Sequence, residues 1–199
     1  MTVTATKSPA PVRHRSVSDH LTVRRDARPV SLLVLAVTAM ATVGKPFIEI
    51  PGIINASAHR VRSVNLDLFH EWVAGTTIWY GKYTNTFGNI ALFIPVGLVL
   101  VALAATAVRG RASRLSLWLR AVVIAAGLSV GIEVTQYIFA LGYSDVDDVL
   151  FNTAGAAMGA CAMLRLDHER QTKLLWRLGF LAAALLVIVV CGLVTGIIG

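Results

Sequence analysis

Five long apolar runs separated by short polar links constrain this chain more than any other feature of its sequence. They fall at Val30–Gly44, Asn89–Val108, Trp118–Leu141, Val146–Leu164 and Leu178–Ile198. In lipid, every backbone N–H and C=O must find its partner within the protein, so runs of this kind are read as helices packed into a bundle. The last four approach or exceed the roughly 20 residues that cross a bilayer. The first is shorter, with Lys45 placed to snorkel and extend it. Composition agrees: 56% of residues are hydrophobic and 15% charged, where a soluble chain carries roughly 25% charged residues. The expected fold is an all-α integral membrane protein, a small bundle of about five transmembrane helices.

The net charge of +7 does not mark a nucleic-acid surface, because the basic residues come in clusters between apolar runs. Lys7, Arg13, Arg15, Arg24, Arg25 and Arg28 lie in the polar segment 1–29, read as a disordered basic tail. Arg109, Arg111, Arg114 and Arg120 flank the link between the second and third runs, and Arg165, Arg170, Lys173 and Arg177 flank that between the fourth and fifth. Fourteen of the eighteen bases therefore share one side, the cytoplasmic side by the positive-inside rule. This predicts a cytoplasmic N-terminus, an outer loop at 45–84, a basic cytoplasmic link at 166–177, and a last helix within 178–199 whose C-terminus is extracytoplasmic. The expected location is the plasma membrane, crossed several times. "AMA" at 39–41 also fits a signal-peptide cleavage site after a short apolar run, and that reading leaves the later topology unchanged. Cys161 and Cys191 sit in apolar runs without metal or disulfide spacing.

Against this background the stretch "YSDVDDVLFNTAG", 143–155, stands out. Ser144 and Asp147 match a capping box, and acids in a first turn complement the helix dipole. Deeper residues need another account. Asp145, Asp148, Asn152, Gly155 and Gly159 recur at three- and four-residue spacing on one face, and Gly155 with Gly159 permits close helix packing. In the preceding helix Ser129, Glu133 and Gln136 also share a face. At 1.5 Å per residue, Glu133 and Gln136 lie about 8–13 Å, and Asp148 and Asn152 about 5–10 Å, below the outer end. Asn85 and Asn89 add to the same level from the second run, and Asn65, His70 and Glu71 are placed to close over it. Pro95 should kink the second helix unless its neighbours satisfy the freed carbonyl. An ionisable residue within a span is a functional candidate by default. The plainer reading is that these side chains hydrogen-bond the bundle together, each worth about 0.6–2 kcal/mol. The whole cluster favours a polar pocket open to the outer leaflet.

"NTFGNIALFIPVG", "GIEVTQ" and "DVDDVLFNTAG", in that order, resemble the VanZ-like family of small bacterial membrane proteins, with "RSVNLDLF" at 62–69 similar to the segment before the second helix there. The resemblance covers residues 30–165. It implies functional or structural roles for Asn65, Asn89, Pro95, Gly97, Glu133, Gln136, Asp145, Asp148, Asn152 and Gly155. It departs at Leu141–Ser144, where relatives commonly carry an arginine before the aspartates. The family takes its name from a member linked to low-level teicoplanin resistance, so the resemblance implies an envelope setting rather than a reaction.

Two functions compete. One is a binding protein whose pocket takes a lipid-linked envelope precursor, a glycopeptide-like ligand or a partner, without a cofactor. The other is a membrane enzyme acting on a lipid-linked phosphate, with carboxylates holding a divalent cation. Asp147 and Asp148 point about 100° apart on a helix, so one metal would not use both. His70–Ala74 lacks the second histidine of H-E-x-x-H, and there is neither a P-loop nor G-x-S-x-G. A transporter is disfavoured by the absence of evident inverted repeats.

Overall fold

A computed structural model describes residues 17–47, 60–75, 80–107 and 112–198. The elements in chain order are α1 (Val17–Val43), a 3-10 turn (Lys45–Phe47), β1 (Arg62–Asn65), α2 (His70–Val73), α3 (Gly81–Ala107), α4 (Arg114–Phe139), β2 (Gly142–Asp145), α5 (Val146–Arg165) and α6 (His168–Ile198). Each apolar run lies within or largely within one helix, but several helices begin earlier than the runs do. Once a helix is nucleated by packing, adding polar residues to its end costs little. Residues 17–29, read as part of a disordered tail, are therefore helical, and residues 1–16 of that tail lie outside the described residues. The basic link at 166–177 is likewise helical from His168. Asp167 accepts the backbone N–H of Arg170 at the start of this helix, and Glu169 pairs with Lys173 one turn on. The link shrinks to Leu166 and Asp167.

Among the described residues, α3, α4 and His168–Cys191 of α6 are long and apolar enough to cross a membrane. The apolar part of α1, Ala27–Val43, is shorter, and α5 opens with two aspartates. By length and hydropathy alone, three helices qualify as spans among the described residues. The outward faces of α4 and α6 are apolar, with Val123 69%, Phe139 67%, Phe180 80% and Ile188 66% exposed, surfaces suited to lipid.

α3 is the central helix. Val96 through Ala102 are all buried, so it is enclosed on every side over two turns. Its helix runs unbroken through Pro95. The closest packing is with α5: a Cβ at Gly97 would overlap the carbonyl oxygen of Ala156, and Cβ atoms at Gly155 and Gly159 would overlap those of Ile90 and Ile94. These three glycines let the two backbones meet. α4 lies against α5, and α1 lies between α3 and α6. Trp118 ties α4 to α5 through a 3.0 Å bond from its Nε1 to the carbonyl of Ala157.

One end of the bundle carries a feature that the hydropathy pattern does not announce. β1 pairs in parallel with β2, Arg62 opposite Gly142 and Asn65 opposite Asp145. The segment read as a loop at 45–84 thus contributes a strand and the α2 turn, and α3 begins at Gly81. This ribbon end holds the polar residues.

Candidate functional site

The three aspartates of 143–155 have separate tasks. Asp145 is the N-cap of α5, in extended conformation, its Oδ1 accepting the N–H of Asp147 at 2.8 Å. The expected Ser144–Asp147 capping box is therefore not formed. Pairing of 142–145 as a strand turns Ser144 back toward α4, where its Oγ donates to the carbonyl of Glu133. Asp147, 3% exposed, accepts the backbone N–H of Phe69 at 2.9 Å. That bond and a ring contact with Phe151 hold Phe69 at φ 59, a left-handed conformation costly for a bulky residue. Only Asp148 turns toward the interior between α3 and α5, where its Oδ1 accepts Nδ2 of Asn89 at 2.6 Å.

Asp148 lines a cavity of about 250 Å³ together with Asn85 and Asn89 of α3, Glu133 and Gln136 of α4, and Asn152 of α5. Six of the eight residues expected in a pocket thus share one cavity. Its polar walls are cross-braced. Asn89 also donates to Asn85 Oδ1, and Asn85 donates to Glu71 of α2, so a chain of contacts runs from α2 to Asp148. Asn152 donates to Ser129 at 2.9 Å, and Gln136 Nε2 donates to the carbonyl of Thr42 at 3.4 Å. Gln136 Oε1 and Asn152 Oδ1 have no hydrogen-bond partner among the described residues, although the two side chains are only 7% and 1% exposed. Buried polar atoms of this kind are uncommon and call for a partner.

Asn65 and Asp145 do not line this cavity. Asn65 donates to Asp145 Oδ2 at 3.0 Å across the ribbon, and the N–H of Asp145 donates to Glu133 Oε2 at 2.9 Å. The strand pairing and the cap occupy both side chains. They lie instead on a second cavity of about 260 Å³, lined mainly by Val64, Leu66, Val134, Tyr137, Val146 and Val149. Glu133 lines both cavities, 8% exposed.

Several contributors escape the sequence reading. Thr42, Thr84 and Gly88 also line the polar cavity; Thr38 and Thr42, four apart in an apolar run, were the available signal for α1. Arg62 donates to the carbonyls of Tyr137 and Ile138, the last acceptors of α4, and lies over the Tyr137 ring. Lys82 sits against the rings of Trp72 and Tyr83. No lysine, arginine or histidine lines the polar cavity among the described residues, and no three His, Cys, Asp or Glu residues there are grouped to hold a metal ion.

The family model described as VanZ/LLP1 matches residues 32–167, from the second half of α1 through α5, and takes in every residue of the cavity. No curated protein and no solved structure matches the chain.

Proposed function

The chain belongs to the VanZ/LLP1 family, and on that premise we propose that it is a multi-pass plasma-membrane protein that binds an envelope-associated ligand or partner in the polar cavity at its ribbon end. In this reading α1 and α5 join the three longer helices as spans, with neighbours covering what each lacks in length or hydropathy. The ribbon end faces outward, as the placement of fourteen of eighteen basic residues away from it favours. Binding there changes susceptibility to glycopeptide-type antibiotics by altering access to a lipid-linked precursor or to the drug.

The observation that carries this reading is the convergence of α3, α4 and α5 side chains on one cavity with two buried amide oxygens unpaired. An amide oxygen left unpaired in such a setting costs about 1–3 kcal/mol, so the cluster is not arranged for stability alone. A metal-dependent phosphate enzyme would draw on Glu133 and Asp148, the two carboxylates of the cavity. The further ligands it needs are not carboxylates, thiolates or imidazoles among the described residues.

The test is complementation. A bacterial strain lacking the gene is supplied with the wild-type chain, Glu133→Ala or Asp148→Ala at matched membrane abundance, then challenged with a panel of envelope-active antibiotics. Both variants should behave as the empty vector toward glycopeptides. Wild-type behaviour from both would remove the cavity from the function.

A further inference from the structure

The segment from β1 to α2 carries its polarity inside out. Ser63 and Asn65 turn inward, Asn65 onto Asp145, while Val64 and Leu66 alternate with them on the outer side. A strand with water on its outer side shows the opposite alternation, and one with lipid there shows this one. Leu66 is 76% and Val73 85% exposed, and Leu68, Phe69 and Trp72 are exposed between them. The segment lies against the side of the bundle. Val64 and Leu66 border the apolar cavity with Val134 and Tyr137 of α4. Phe69 meets Phe151, five positions into α5 and so about 7 Å below its start. Trp72 packs edge-on against Tyr83 of α3, its Nε1 donating to Thr86. The chain thus passes α4, α5 and α3 in turn, level with their end turns. Its outer side continues the apolar faces of these helices, where Ile138 and Phe139 of α4 and Phe87 of α3 are exposed.

The aromatic residues give the level of this segment in the membrane. All four tyrosines of the chain, Tyr80, Tyr83, Tyr137 and Tyr143, are exposed at this one end. Arg62 lies over the Tyr137 ring, and Lys82 over those of Trp72 and Tyr83. Tyrosine and tryptophan collect where a bilayer meets water, and long basic side chains beside them reach the headgroups. At the other end stand Trp118 of α4 and the exposed Trp176 of α6. Along α4, Trp118 and Tyr137 are about 28 Å apart at 1.5 Å per residue, close to the roughly 30 Å of a hydrocarbon core.

We propose that residues 64–73 form an interfacial collar, seated in the headgroup layer of the bilayer around the helices, with Leu66, Leu68 and Val73 inserted among the upper acyl chains. Asp67 and His70, exposed among them, hold the collar at the hydrated level and out of the hydrocarbon core. The partner of this surface is the lipid itself. The assignment is independent of what the polar cavity binds, and it holds whichever way the ribbon end faces, since aromatic belts form at both membrane surfaces.

The test places nitroxide labels on the full chain in liposomes of phosphatidylethanolamine and phosphatidylglycerol. Cys161 and Cys191 are replaced by Ala, and single labels are carried on Leu66→Cys or Val73→Cys. Arg170→Cys serves as the aqueous reference and Ile188→Cys, on the exposed face of α6, as the hydrocarbon one. Collisions with oxygen and with a water-soluble nickel chelate are read from power saturation. Both collar labels should favour oxygen over the chelate relative to Arg170→Cys. Their depth should be about 5–10 Å, that of an interfacial apolar face, and shallower than at Ile188→Cys. Values matching Arg170→Cys would make the segment an aqueous loop. Exclusion of both reagents would mean that protein, a second copy included, covers it. Either result overturns the proposal. The wild-type chain supplies a second reading without a label. A phospholipid carrying a diazirine on its upper acyl chain should leave adducts on residues 64–73 after illumination. Adducts on α4 and α6 with none on the collar would overturn the proposal too.

Discussion

Asn89 of α3 donates a 2.6 Å hydrogen bond to Asp148 of α5, joining the two helices that pack most closely just beneath the ribbon. With the carboxylate ionised the bond is charge-assisted, and Asp148 is only partly buried. Replacing Asn89 with Ala removes the donor while the carboxylate stays in place. We expect a loss of about 1.5–3 kcal/mol in unfolding free energy, read from chemical denaturation in detergent. Asp148→Asn, which can still accept from Asn89, should cost less. Equal and negligible effects would mean that the bond does not contribute.

The glycines of the bundle fall into two classes, and substitution should separate them. Gly155→Ala and Gly159→Ala drive a methyl group into the backbone of α3, at Ile90 and Ile94. Each should destabilise by about 1–3 kcal/mol or more. Gly88→Ala meets open space in the interior of a helix, and should be neutral or stabilising by up to about 1 kcal/mol. The same denaturation series measures all three, and a penalty at Gly88 equal to that at Gly155 would contradict the packing.

Asp147 anchors the chain at Phe69. Removing its carboxylate leaves a left-handed phenylalanine without the bond that compensates its strain, so the segment 66–75 should detach from α5. In Asp147→Ala, amide hydrogen exchange over these residues should rise roughly tenfold to a hundredfold, the range of one hydrogen bond to a charged group. Amides of α3 and α5 should remain protected. Asp147→Asn keeps an acceptor and should restore most of the protection.

The proposed orientation is tested by cysteine accessibility in intact cells, with Cys161 and Cys191 replaced. A cysteine at Ala74, beside α2, should react with a membrane-impermeant maleimide, and one at Ala112, before α4, only after permeabilisation. The reverse pattern would place the ribbon and the polar cavity on the cytoplasmic side.

The sequence by itself determined the helices and much of the polar face. Hydropathy located each apolar run, because a segment in lipid must satisfy its own backbone and so takes a single regular form. Helical spacing set Ser129, Glu133 and Gln136 on one face of α4, and all three are buried together. What the tertiary structure decided was which polar groups meet. The β1–β2 pairing joins residues about eighty positions apart, and four-residue strands have too few alternating side chains to announce themselves by pattern. That pairing draws Asn65 and Asp145 onto each other and away from the polar cavity, and it makes Asp145 rather than Ser144 the cap of α5. Asp145, Asp147 and Asp148 are alike in local sequence. They differ in function because one ends a strand, one meets a chain arriving from residue 69, and one faces α3, and only the packing of distant segments sets those surroundings.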